Sequence, residues 1–145
     1  MNKPKVMVAV HNAASVEGLV TLACRLTQGM DADLVALHVV VVPLLTPLEA
    51  LDETIDHEGK VLLAQAQRVA EKLSRRLSTE LLRAREVGEA IVGVAREQAV
   101  DLLVMGHHKP HPHALTETLR GGIGQYVAHH APCRVIVEIP APEHR

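Results

Sequence analysis

The sequence predicts an α/β protein, a three-layer sandwich around a five-stranded parallel sheet. Two observations carry this. Four short apolar runs rich in β-branched residues, and a fainter fifth, recur along the 145 residues, and their apolarity is continuous rather than alternating, as in strands covered on both faces. The segments between them place apolar residues at helical spacing, so strands and helices alternate.

Each element can be justified in order. "KVMVAV" (5–10) is the first strand. In "HNAAS", Asn12 or Ser15 can cap a helix whose inward residues are Val16, Leu19, Val20, Ala23, Leu26 and Met30, with Gly29 as its stop. "DLVALHVVVV" (33–42) is the second strand. "TPLE" (46–49) reads as a helix start, with Thr46 as cap, Pro47 in the first turn and Glu49 completing a capping box. Leu48, Leu51, Ile55, Leu62, Ala66, Val69, Leu73 and Leu77 then mark one face of a long helix, with Asp56–Lys60 and Glu71–Arg75 as i,i+4 pairs on its wet side and Gly59 as a candidate kink. "STELLRAREV" (78–87) is the weakest strand. "GEAIVGVAREQAV" reads as a short helix with Ile91, Val94 and Ala95 inward, and "DLLVMG" (101–106) as a buried strand. A last helix is expected to begin near Gly121 or Gly122, to bury Ile123, Tyr126 and Val127, and to end before Pro132. "CRVIVEI" (133–139) is the final strand. Residues 1–140 are expected to form one domain and 141–145 a loose tail.

Composition narrows the function. The formal charge is −2, charged residues make up 22% and aromatic residues 1%; without a basic stripe or stacking rings, nucleic acid is not the expected partner. No apolar run approaches the roughly 20 residues of a membrane span. The run behind the two N-terminal lysines is too short for a secretory signal, so a cytoplasmic location is expected. Cys24 and Cys133 are too few for a disulfide scaffold and read as reduced, buried small hydrophobes.

Open parallel sheets bind ligands at the carboxyl ends of their strands, where the strand order reverses. That rule selects Val10-His11-Asn12, the stretch from Val40 to Pro43, and the chain from Gly106 onward. Gly121-Gly122 before a helix has the logic of a phosphate cradle, with free N–H groups and no Cβ in the way, although a glycine pair before a helix is also an ordinary turn.

"KVMVAV", "ALHVV", "DLLVMGHH" and "GGIGQYVAHHAPCRVIVEI" together resemble the universal stress protein (UspA-type) family over nearly the whole chain. "VVVPLLTPLEAL" looks most like the universal stress domains that accompany amino-acid permeases and cation antiporters. The resemblance implies a Rossmann-like, adenine nucleotide α-hydrolase-like sheet of order 3-2-1-4-5. It also implies a dimer paired through the last strand (Arg134, Val135, Ile136, Val137), and in many members bound ATP or AMP. Nucleotide-binding members carry Gly-x2-Gly-x9-Gly-Ser/Thr and an Asp after strand one. Here Gly106 fits the first glycine, but Lys109 replaces the second, eleven residues separate Lys109 from Gly121, and Gly122 replaces the hydroxyl residue. His11 stands where the Asp belongs and is a poor Mg²⁺ ligand, so tight Mg²⁺ binding is not expected. Lys109 and Arg120 can supply positive charge to phosphates. The candidate nucleotide site is therefore Ala9, Val10, His11, Asn12, Val40, Met105, Gly106, His108, Lys109, Arg120, Gly121, Gly122 and Ile123, for AMP, ADP, ATP or a cyclic nucleotide.

His107, His108, His111 and His113 offer imidazoles for a transition metal, but their spacing is no regular metal signature, and Pro110 and Pro112 would splay alternate side chains. A solvated loop is the plainer reading. His38 reads as a satisfied interior residue. His129 and His130 suit a helix's last turn. No nucleophile–base pair, P-loop or GxGxxG is present, so a non-enzymatic regulator acting through partner contacts, such as a membrane transporter, is expected. Its rivals are a nucleotide-independent interaction module and a histidine-loop metal binder.

Overall fold

The computed structural model describes residues 3–49, 53–107 and 122–139. The elements run β1 (Lys5–Ala9), α1 (Ala13–Leu26), β2 (Asp33–Val41), α2 (Glu53–Lys72), β3 (Leu77–Ala84), α3 (Val87–Glu97), β4 (Leu102–Gly106), α4 (Ile123–His130) and β5 (Arg134–Glu138). All four strand pairings are parallel, in the order β3-β2-β1-β4-β5.

Side chains alternate across a strand, so the continuous apolar runs feed two separate cores. Val6, Val8, Val10, Leu34, Ala36 and Val104 pack under α1 and α2. Met7, Ala9, Val35, Leu37, Leu103 and Met105 pack under α3 and α4. With no Phe or Trp in the chain, the largest side chains sealed from solvent among the described residues are Met, Leu and Ile.

The long helix starts later than "TPLE" suggests. The Thr46 N–H donates to the Pro43 carbonyl at 2.9 Å, closing a turn, and the Thr46 carbonyl is taken by Arg85 Nη1 at 2.5 Å. These bonds hold residues 43–46 as a turn, and α2 begins at Glu53. Its inward residues are Gly59, Leu62, Leu63, Ala66 and Ala70; Leu48, Ile55 and Leu73 face solvent, and Leu77 is the buried first residue of β3. Leu51 lies outside the described residues. The helix runs unbroken through Gly59.

Both expected surface pairs are replaced by longer-range contacts. Asp56 receives the Arg83 guanidinium from β3. Arg75 lies past the end of α2, where it donates to the Cys24 carbonyl (3.0 Å) and Thr27 Oγ1 (2.9 Å) at the end of α1. That helix ends at Leu26 with Thr27 as its C-cap, two residues before Gly29, and Leu26 and Met30 are exposed. The 141–145 tail lies outside the described residues.

Candidate functional site

The crevice is created by topology. β1 and β4 are neighbours, with Ala9 opposite Met105. The chain leaving β1 forms α1 over one face, and α4 covers the other. α1 starts four residues after Ala9. α4 ends four residues before the start of parallel β5, so its own start lies at the carboxyl edge, where Ile123 is buried in the same core as Ala9 and Met105. Two helix N-termini therefore open on opposite faces of one strand pair, the switch point of the sheet.

On the β1 side, Ala9 and Val10 are buried while His11 and Asn12 are exposed. Val10 N donates to the Leu37 carbonyl at 2.9 Å. The Val10 carbonyl lies 2.9 Å from Nδ1 of half-buried His38, and this contact requires the proton on that nitrogen. His38 is thus a satisfied residue, as its apolar strand suggests. Asn12 caps α1: its Oδ1 accepts from Ser15 N at 2.9 Å. The cap fixes which end of the amide is nitrogen, so Nδ2 faces the His11 ring, 3.0 Å from Nε2. It also lies 3.5 Å from Nδ1, so the amide nitrogen meets the ring beside both nitrogens rather than along either lone pair. Partial burial of the ring, and then the nearby His38, lower the pKa of His11.

On the β4 side, Met105 and Gly106 are buried. A Cβ at Gly106 would meet Leu19 Cδ1 at an ordinary 3.6 Å, so nothing among the described residues demands glycine there. Gly122 is different. It caps α4 at φ +95°, ψ −176°, with no side-chain cap bond, a conformation open to glycine alone. Among the described residues, then, no side chain caps the first N–H groups of α4, the arrangement that attracts an anion. Val40 is buried at the end of β2. His107 is exposed, and its N–H donates to the Glu138 carbonyl at 3.0 Å. His108, Lys109, His111, His113, Arg120 and Gly121 lie outside the described residues. No group of three or more His, Cys, Asp or Glu that could hold a metal occurs among the described residues.

Two of these contacts escape a reading of the sequence: Asn12 orienting toward His11, and His38 reaching the Val10 carbonyl. For the first, the Asn immediately before a helix was the one usable signal. The second depends on strand pairing.

A parallel sheet of order 3-2-1-4-5 with helices on both faces is the arrangement that the resemblance implies. The sequence profile of the universal stress protein family matches residues 3–138, and the chain belongs to that family. Among solved structures it is similar to the universal stress protein UspA from Lactobacillus plantarum, at 27% identity and a TM-score of 0.68 over 94% of this chain and 98% of that one. It is also similar to a universal stress protein from Archaeoglobus fulgidus in complex with dAMP (17%, TM-score 0.70, 94% and 97% covered). A third likeness is to a family protein from Arabidopsis thaliana with AMP bound (20%, TM-score 0.64, 95% and 92% covered). No curated protein matches the chain. No helix among the described residues is long and apolar enough to cross a membrane.

Proposed function

We propose that this chain binds an adenine nucleotide in the β1–β4 crevice and acts as a cytoplasmic, non-enzymatic regulator. One observation carries the reading: glycine-only Gly122 opens α4 at the switch point of the sheet, with no side-chain cap among the described residues. Such an end suits a phosphate. The AMP and dAMP held by the plant and archaeal relatives support adenine as the base. In this reading the α-phosphate sits at the start of α4, and Lys109 and Arg120 neutralise it. His11, in place of a carboxylate, lets the nucleotide bind without tightly held Mg²⁺. Occupancy changes contacts with a partner, a transporter being one candidate, and two chains pair through the β5 edge, where Val135 and Val137 are half-buried.

The test is mass spectrometry of nucleotide released from denatured pure protein, followed by calorimetry with AMP, ADP, ATP and cyclic AMP, with and without Mg²⁺. Binding that is indifferent to Mg²⁺ is expected. No released nucleotide and no heat with any of the four would overturn the reading in favour of a nucleotide-independent module. That alternative has its own support in His11, which stands at the position where the nucleotide-binding pattern has an Asp.

A further inference from the structure

The connection between β2 and α2 has features that nucleotide binding does not use. Thr46 N–H bonds to the Pro43 carbonyl at 2.9 Å, so Leu44 and Leu45 are the two central residues of a four-residue turn. Turn tips favour Gly, Asn, Asp, Ser and Pro. Here the tip holds two leucines, 82% and 100% exposed. Leu48 and Ile55, farther along the same connection and in the first turn of α2, are exposed as well. A slack loop with four apolar side chains would fold them back onto the protein. This one is held outward. Arg85, just past β3, directs Nη1 at the carbonyls of Val42 (3.4 Å), Pro43 and Thr46 (2.5 Å), and Pro43 and Pro47 bracket the turn with fixed φ.

Along this stretch of chain the charged side chains have one sign. From Thr27 through Gly59 the sequence contains no Lys or Arg, while Glu49, Glu53 and Glu58, which follow the leucines in sequence, are exposed. Asp56 is already matched by Arg83, and the Arg85 guanidinium is committed to the turn's carbonyls. An acidic border disfavours an anionic lipid surface, and it disfavours a second copy meeting the same acidic segment.

We propose that the Pro43–Thr46 turn is a docking knob for a protein partner whose apolar cleft is bordered by lysine and arginine side chains. Leu44 and Leu45 fill the cleft, and Glu49, Glu53 and Glu58 meet its basic rim. Arg85 keeps the knob formed before the partner arrives, so little ordering is needed on binding. The surface is independent of whether the crevice holds a nucleotide.

The test uses the full-length, isotope-labelled protein and two synthetic amphipathic peptides of the same helical pattern, one of leucine and lysine and one of leucine and glutamate. The leucine–lysine peptide is expected to shift amide resonances within residues 43–58 and to bind more weakly as salt rises. The double change Leu44→Ser, Leu45→Ser is expected to weaken it at least about tenfold, as loss of central apolar anchors does. Both leucines lie outside the core, so this variant keeps its fold, which circular dichroism checks. Arg85→Gln leaves the leucines in place and is expected to weaken binding by about threefold to tenfold, through loss of preorganisation. The proposal is overturned if neither peptide binds, if both bind alike, or if the serine variant binds as well as the parent. It is also overturned if mixed phosphatidylcholine–phosphatidylglycerol vesicles are preferred, or if the leucines drive self-association that the serine variant abolishes.

Discussion

Gly59 of α2 lies against the imidazole of His38: a Cβ there would stand 3.0 Å from His38 Cδ2 and 2.7 Å from Leu81 Cδ1. The leucine tip can rotate away, but the imidazole is tied to the Val10 carbonyl and cannot yield freely. Gly59→Ala gains up to about 1 kcal/mol of helix propensity and loses roughly 1–3 kcal/mol to overpacking, so a net loss of about 1 kcal/mol is expected in urea unfolding. At Gly93, inside α3, an added methyl group would have nothing within 4 Å among the described residues, and Gly93→Ala should stabilise by about 0.5–1 kcal/mol. Two glycine-to-alanine changes with the same sign would contradict the packing at His38.

Gly122→Ala forces a Cβ into φ +95°, ψ −176°. The expected cost is roughly 1–3 kcal/mol of stability. Calorimetry should also show weaker nucleotide binding, because relaxing the strain turns the first N–H groups of α4. Unchanged stability would mean that the turn has another conformation within reach.

Stability should fall on mild acidification, and His11 should contribute. Its folded pKa lies below the ordinary value of 6.5, owing first to burial and then to His38. As pH falls through 6.5 the unfolded chain takes up the proton first, so stability is lost from there down to the lower folded pKa and is constant below it. The denaturation midpoint of His11→Asn should change less over that window than the parent's. A phosphate in the crevice reverses the bias by favouring the charged ring, so nucleotide affinity should rise as pH falls.

Arg75 links the ends of α2 and α1 through the Cys24 carbonyl and Thr27 Oγ1. Thr27 is 2% exposed, and without Arg75 the Cys24 carbonyl would keep only the long 3.4 Å bond from Thr27 Oγ1, a costly arrangement for a last-turn carbonyl. Arg75→Ala is therefore expected to cost about 1–3 kcal/mol, read as a lower urea midpoint. Arg76→Ala, whose exposed side chain is next in sequence, serves as the control and should lie near the parent.

The strands were legible because burial on both faces leaves a continuous apolar run, and β1, β2, β4 and β5 fall within a residue of their expected ends. The order of the sheet was legible only through family resemblance, since parallel pairing leaves no local mark. The failures share a cause. Thr46, Asp56 and Arg75 each looked complete with sequence neighbours: a capping box, Lys60 and Glu71. In the fold, Arg85, Arg83 and the end of α1 outcompete those partners, and all three contacts join segments far apart in the chain. At the crevice, Asn12 and Gly122 announced themselves as helix boundaries. The lowered pKa of His11 did not, because it depends on the burial of the ring and on His38 nearby.

Tyr126 is the only Tyr in a chain without Trp or Phe. It stacks on His130 within α4, with ring centroids 4.2 Å apart, in the helix that Gly122 begins. The sequence thus carries a single intrinsic fluorophore, attached to the element that frames the crevice. Ultraviolet emission reports on that helix alone, without labelling and without background from the rest of the protein.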